Sequence, residues 1–214
     1  MKDQLTHWNH AHAAGWLNQH SETQTGFAEE VQAAIPAGAT ILELGCGEGN
    51  DSYFFAAQGH KIMATDFSDI VIEQNKTRWQ DDRLTFAEQD ISQPLEYADE
   101  SFDVVYARLS LHYFKAEATQ QIFREIARVL KVGGLLCFMC KSTEDGIYGK
   151  GTEIENDMYE LDGHVRHFFS EPFTQQLLSA AGLQAKKVET GKEQIYDRTS
   201  AFIKVFAAKP ARNE

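Results

Sequence analysis

The chain has 214 residues, 43% hydrophobic and 24% charged, which suits one folded domain with a sizeable core and excludes a disordered chain. Twenty Lys and Arg against 32 Asp and Glu leave a net charge of −12, a field that repels phosphate backbones and argues against nucleic acid as a partner. Half of that excess falls in the first 60 residues, where Lys2 alone faces seven acids. Strand and helix patterns alternate without repeats or low-complexity tracts, which predicts a parallel sheet with helices on both faces. After a polar opening that carries His7, Trp8, His10, His12 and Trp16, residues 25–35 read as a helix stopped by Pro36-Ala37-Gly38. Residues 40–44 form a short buried strand, 51–58 a helix closed by Gly59, and 61–65 the second strand. Ser68 caps a helix running to Trp79, 84–89 is the third strand and 102–107 the fourth. A helix over 116–130 places Ile122, Phe123, Ile126, Val129 and Leu130 on one apolar face. Gly133-Gly134 turns into a fifth strand over 135–140. Residues 141–169 then lapse into a Gly-dotted, polar and aromatic stretch too long for a routine connection, the kind of loop that is functional or disordered. Ser170 caps a helix ended by Gly182, and 184–189 with 201–208 make a closing pair of strands.

The segment Ile41-Leu42-Glu43-Leu44-Gly45-Cys46-Gly47-Glu48-Gly49-Asn50 sets three glycines at alternate positions between a buried strand and a helix start. Backbone must approach a ligand there. A dinucleotide fold would need its third glycine where Asn50 stands, and the acids Glu48 and Asp51 at the helix opening would repel a pyrophosphate. No Gly-Lys-Ser/Thr follows for a nucleotide-triphosphate loop. The pattern selects a neutral or cationic ligand, such as the sulfonium and ammonium of S-adenosylmethionine.

Glu43-Leu-Gly45-Cys-Gly47-Glu-Gly49 resembles motif I of the class I S-adenosylmethionine-dependent methyltransferases, and other elements of that family follow in order. Ala64-Thr65-Asp66-Phe67-Ser68 ends the second strand with an acid where the family hydrogen-bonds both ribose hydroxyls. Glu88-Gln89-Asp90-Ile91 ends the third, where the family's Asp meets the adenine amino group and the next backbone amide meets the ring. Phe102-Asp103-Val104-Val105-Tyr106-Ala107-Arg108 resembles the fourth-strand motif, whose end lies near the methionine part of the cofactor. Leu130-Lys131-Val132-Gly133-Gly134 resembles the turn before strand five. The resemblance covers 38–140 and implies a Rossmann-like α/β fold with a seven-stranded, mostly parallel sheet, its last strand antiparallel. It implies S-adenosylmethionine as cofactor and Glu43, Gly45, Cys46, Gly47, Gly49, Asp66, Phe67, Asp90, Ile91, Ala107 and Arg108 as its binding residues. Within the family, a brief N-terminal cap and the Gly-x-Gly-x-Gly-x-x-Ser spacing ending at Ser52 are similar to small-molecule methyltransferases of the tellurite-resistance type, which implies a chalcogen or thiol acceptor.

The topology carries His112 and Tyr113, just after strand four, and Tyr159, Arg166 and His167, in the long insertion, toward the transferred methyl. His112 and His167 are the candidate bases; Trp8, Trp16, Tyr113, Tyr159, Arg166, Tyr196 and Arg198 are the candidate pocket. An inward Arg166 or Arg198 would bind an anionic substrate. Asp103 begins its strand at the edge away from the cofactor and reads as structural. Cys137 and Cys140 stand three apart on a strand, so their sulfurs face opposite ways and make no metal pair; no metal is expected. The three cysteines, odd and sparse, fit a reducing compartment. With no apolar signal-like stretch at the start and no run of bilayer-spanning length, a cytoplasmic, membrane-free protein is expected. The fourth strand ends without the Asn/Asp-Pro-Pro-Tyr of base and amide amino methyltransferases, and no Pro-Cys pair serves cytosine chemistry. One domain over 1–214 is expected, with a cap at 1–37, a cofactor half at 38–140, a substrate-side insertion at 141–169 and a C-terminal helix and strand pair at 170–214. In-line methyl transfer to a small nucleophile is the expected function; transfer to a protein or RNA with a partner, or a non-catalytic S-adenosylmethionine-binding regulator, are the alternatives.

Overall fold

The computed structural model describes residues 8–9, 23–195 and 198–211. Helix α1 (Gly26–Ala34) leads into β1 (Thr40–Leu44), α2 (Asn50–Ala57), β2 (Lys61–Asp66), α3 (Asp69–Arg78), β3 (Leu84–Glu88) and β4 (Phe102–Arg108). A single 3-10 turn (Leu111–Tyr113) and α4 (Ala116–Val129) connect to β5 (Leu130–Lys141). Then come β6 (Thr152–Glu155), β7 (Met158–Leu161), β8 (His164–His167), α5 (Glu171–Ala180), β9 (Gln184–Ile195) and β10 (Arg198–Ala208).

Seven strands form one sheet in the order β3-β2-β1-β4-β5-β10-β9. Strands β1 to β5 pair in parallel, and β10 runs antiparallel to both β5 and β9. The expected sheet, with its antiparallel last strand, is the one observed. Because both faces are covered, the central strands are apolar on alternating sides. Val104 and Tyr106 of β4 join Phe27, Val31, Phe55 and Ile72 from α1 to α3. Val105 and Ala107 join Ile122, Phe123 and Ile126 of α4 and Leu177 of α5. A strand buried on two sides reads as a continuous apolar run, as β4 does. The same alternation parts Cys137 and Cys140, which lie in these two opposite clusters.

Side-chain caps fix several helix starts. Thr25 accepts from the Ala28 amide at α1, Ser68 from Val71 at α3 and Ser170 from Phe173 at α5; such caps contribute about 1 kcal/mol each. Asp103 is structural: its Oδ2 accepts from the Thr40 amide at 2.9 Å and its Oδ1 from Lys131 Nζ at 2.7 Å, tying the base of β4 to β1 and β5.

The insertion departs from a loop reading. Residues 152–167 form a three-stranded antiparallel sheet in the order β6-β7-β8. Its second turn is Asp162-Gly163, with φ of +55° and +78°, the doubly left-handed pair that a two-residue hairpin requires. The closing strands are also longer than expected: β9 runs to Ile195 and β10 starts at Arg198. Strand β9 is an edge strand rich in Lys and Glu, which protects it from edge pairing and erases the apolar alternation that marks a strand. Among the described residues no helix is long and apolar enough to cross a membrane.

Candidate active site

The glycine loop joins β1 to α2 at the carboxyl edge of the sheet, where open α/β sheets bind ligands. The Gly45 and Cys46 amides both donate to Thr65 O at 2.8 Å, and the Thr65 hydroxyl donates to Glu43 O at 2.7 Å, so β2 fixes the loop's entry. Gly45, Gly47 and Gly49 all have left-handed φ, of +80°, +50° and +76°. They differ in surroundings. A Cβ on Gly45 would lie 2.4 Å from Ser110 Cβ, and one on Gly49 would lie 3.0 Å from Phe86 and Trp79, whereas one on Gly47 would meet nothing within 4 Å. Gly45 and Gly49 are packed, and Gly47 turns its bare backbone to open space.

Helix α3 clamps the back of the loop. Asn75 Nδ2 donates to Gly47 O at 2.6 Å, and Trp79 Nε1 donates to Glu48 O at 2.7 Å, with Trp79 stacked on Tyr53 at 4.5 Å. Ser110 Oγ donates to Leu44 O at 2.5 Å from the far side. None of these residues was expected at the site. The visible signal was a polar Asn75 on the face of α3 that turns inward, where its amide needs a partner.

Three acids surround the loop. Asp66, 8% exposed, accepts from the Gly47 amide at 3.0 Å and the Ser68 amide at 3.1 Å. Glu43, 3% exposed, accepts from Ser52 Oγ at 2.5 Å. Burial first, then Asp51 and Asp66, push the Glu43 carboxyl well above the usual range, against the pull of Ser52 and Arg108. Asp51 accepts from the Thr25 amide at 2.7 Å, the Thr25 hydroxyl at 2.9 Å and Tyr106 Oη at 2.7 Å, which locks α1, α2 and β4 together beneath the loop. Burial, with Asp66 and Glu43 adding to it, raises the Cys46 thiol far above its ordinary value, so it is a packing group. Asp90 folds back on Ser92, accepting from its amide at 2.9 Å and its hydroxyl at 2.7 Å. Ile91 is buried in the core, while Phe67 is half-buried beside Asp66.

Across the mouth of the site, β4 ends in Ala107, fully buried, and half-buried Arg108, whose Nε is enclosed without a hydrogen-bond partner among the described residues. Leu109 follows with φ of +57°, a left-handed geometry costly for a branched side chain and one that swings the chain into the 3-10 turn. His112, 1% exposed, keeps an unpartnered Nδ1 among the described residues. Burial, then Arg166, Lys141 and His167, push its imidazole well toward the neutral form. His167 is also buried, with Nδ1 3.3 Å from Phe114 O and its ring stacked on Phe173 at 4.5 Å, and burial lowers its pKa as well.

The insertion docks over this corner: Glu155 Oε1 accepts from the Ala116 amide at 2.5 Å, capping α4. Trp8 lies edge-on to Tyr113 at 5.5 Å and to His164 at 6.2 Å, and its neighbour Asn9 accepts from Ser68 Oγ at 2.5 Å. The N-terminal pair thus reaches from the β2 end, beside Asp66, to the insertion. Tyr159 pairs with Arg166 across β7 and β8 and packs against Tyr148 and Phe168. Of the other expected pocket residues, Trp16, Tyr196 and the Arg198 side chain lie outside the described residues, as do His7, His10 and His12.

Residues 41–134 match the family described as methyltransferase domain. The chain is 36% identical over 110 residues to phosphoethanolamine N-methyltransferase 1 of Triticum aestivum, covering 49% of this chain and 22% of the relative. It is 30% identical over 171 residues to 27-O-demethylrifamycin SV methyltransferase of Amycolatopsis mediterranei, covering 71% of this chain and 61% of the relative. The chain thus spans less than two thirds of the length of these curated relatives. Its fold is similar to that of 1,6-didemethyltoxoflavin-N1-methyltransferase of Burkholderia thailandensis, solved with S-adenosylhomocysteine bound. There the TM-score is 0.73 at 20% identity, over 98% of this chain and 88% of that one. The sheet order, the glycine loop at the carboxyl edge of β1 and the matched segment agree: residues 41–134 are similar to a methyltransferase domain, and the chain shares the fold of solved methyltransferases.

Proposed function

We propose that the chain transfers a methyl group from S-adenosylmethionine to a small-molecule nucleophile by in-line displacement. The observation that carries this reading is Gly47, whose left-handed backbone faces open space beside buried Asp66 and Glu43. A cationic ligand meets bare backbone and carboxylates there, and its charge relieves the crowding of three acids. In this reading Asp66 receives the ribose hydroxyls and Asp90 with the Ile91 amide faces the adenine. Gly45, Cys46, Gly47 and Gly49 form the floor. Ala107 and Arg108 border the methionine end, where the enclosed Arg108 Nε suits a carboxylate.

When bound, S-adenosylmethionine supplies a methyl already activated by its sulfonium charge. The protein's share is alignment and exclusion of water, and orientation alone contributes about 7–11 kcal/mol to such displacements. His112 is held neutral at ordinary pH, so it can accept a hydrogen bond from an acceptor O–H or N–H without first losing a proton. His167, bound to Phe114 O and stacked on Phe173, positions the wall of the pocket.

A net charge of −12 favours a small acceptor over a nucleic acid,. A macromolecular acceptor brought by a partner is the second reading, favoured by Tyr148 and Ile154, which stay exposed on and beside the three-stranded sheet. Calorimetry with S-adenosylmethionine and S-adenosylhomocysteine, followed by product release on thiols, chalcogen oxyanions, amines, phenols and carboxylates, tests both. Micromolar binding with turnover on one class supports the proposal. Binding without turnover on any shifts the assignment to the second reading, and absence of binding overturns both.

A further inference from the structure

Arg166 stands on β8, which packs against the 3-10 turn that carries His112. It is half-buried and makes no hydrogen bond or ion pair among the described residues. That is unusual in a chain with 32 acids. The half-buried Arg128 shows the ordinary arrangement, with Glu125 and Asp99 both at 2.8 Å. The other cation near His112, Lys141, is already engaged by Asp145 at 2.9 Å and Ser200 at 2.8 Å. The acids close to this corner already have partners: Glu155 accepts from the Ala116 amide and lies 3.9 Å from His167 Nδ1, and Asp157 accepts from Tyr148 Oη at 2.6 Å. A half-buried guanidinium with no protein partner keeps its planar fork of donors available, and that fork matches an oxyanion.

A second group independently calls for a ligand at the same place. His112 Nδ1 is buried and unpartnered among the described residues, and a polar atom in that condition is destabilising unless something hydrogen-bonds to it. Aromatic rings flank the pair: Tyr113 lies 4.4 Å from His112, Trp8 lies against Tyr113, and Tyr159 stands opposite Arg166. The charges that bear on His112 are those of Arg166, Lys141 and His167, and of these Lys141 already has its carboxylate.

We propose that Arg166 is the substrate-anion receptor: the methyl acceptor carries an oxyanion, a carboxylate or phosphate, that pairs with Arg166 while its nucleophilic atom hydrogen-bonds to His112 Nδ1. The proposal rests on the methyltransferase reading and narrows its acceptor to planar or aromatic anions. Arg166 binds and positions, and as the nucleophile gains the methyl its own proton passes to His112 Nδ1 and from there to water.

The test uses protein saturated with S-adenosylhomocysteine and titrated with two matched pairs, benzoate against benzamide and phenyl phosphate against phenol. At least one anion should bind tenfold or more tightly than its neutral partner, and which pair shows it tells a carboxylate site from a phosphate site. Arg166→Gln should bring that ratio within twofold, Arg166→Lys should retain most of it, and the affinity for S-adenosylhomocysteine should stay within twofold in all three proteins. Equal binding of anion and neutral partner by the unaltered protein would overturn the proposal without any variant having to fold, as would an undiminished ratio in Arg166→Gln. Failure of S-adenosylhomocysteine to bind at all would overturn the methyltransferase reading and this proposal with it, so the two failures are distinct.

Discussion

Replacing Asp66 with Ala probes the cofactor site most directly, because the carboxylate holds both the loop and, in the proposed function, the ribose. It already accepts from the Gly47 and Ser68 amides at 3.0 and 3.1 Å, and it is nearly buried, so lost contacts are poorly replaced by water. A hydrogen bond to a charged acceptor contributes about 1.5–3 kcal/mol. Losing one such contact to a ribose hydroxyl therefore weakens binding about 10- to 150-fold. Relaxation of the loop alone could produce a loss of that size, and the ligand must be altered to separate the causes. Calorimetry with S-adenosylhomocysteine and its 2′-deoxy analogue closes the cycle. The unaltered protein should bind the deoxy analogue about tenfold more weakly, and Asp66→Ala should bind the two alike. If Asp66→Ala still discriminates as well as the unaltered protein, the losses are additive, Asp66 does not touch the ribose, and its role ends at the Gly47 amide.

Asp51→Ala should destabilise the protein by about 3 kcal/mol or more and Tyr106→Phe by about 1–2 kcal/mol, since the first strands three donors and the second removes one,; urea unfolding of both and of the double variant should show less than additive loss. Gly45→Ala and Gly47→Ala share a left-handed backbone cost of about 1 kcal/mol, but only Gly45→Ala drives a methyl into Ser110,. Thermal melts should therefore show the larger loss at Gly45, and calorimetry should show Gly47→Ala failing to bind S-adenosylhomocysteine while folded; tight binding by Gly47→Ala would remove the loop floor from the site. Glu43 titrates upward on folding, so its favourable contribution is full below the unfolded value of about 4.5 and is lost as pH rises through the elevated folded one. Glu43→Gln should accordingly melt about 2–4 °C higher than the unaltered protein at pH 8, about 1 kcal/mol for a chain of this length, and equally at pH 4. An unchanged difference across that range would mean the carboxyl is not the source.

The glycine-loop half of the fold was legible because its signals are local. A strand of Thr40–Leu44, a glycine at every second loop position and an acid at the end of β2 fix backbone geometry within a few residues. What lay outside sequence reach was the support brought from afar: Asn75 and Trp79 come from α3 to hold the loop, and Ser110 returns to cap β1. Each bond spans about 30 residues or more, a distance over which periodicity carries no information. The insertion was misread for a different reason. Its strands are four residues each, too short for alternation to rise above chance, and only Asp162-Gly163 announced a hairpin,. The end of β9 was hidden by the charges that protect an edge.

In the proposed function the acceptor side draws its character from this poorly legible part. Glu155 fastens β6 to the start of α4, His167 meets Phe114 O and Phe169 bonds to Lys141 behind it; together these anchors set where β8 delivers Arg166 and His167 relative to His112. The glycine-loop side, by contrast, is built on β1, β2 and β4, whose register is fixed by two-sided burial,. A rigid floor with acids for a cation and a separately docked sheet with an unpaired guanidinium allow the two ligands to be recognised by opposite charges. Exchange of the insertion would then change the acceptor while leaving the glycine loop intact. The converse also follows: Glu155→Gln, which keeps a carbonyl for the Ala116 amide, should leave S-adenosylhomocysteine binding unchanged and preserve the anion preference. Glu155→Ala frees β6 and should erode that preference, and an undisturbed preference in Glu155→Ala would show that the sheet is held in place by its aromatic contacts instead.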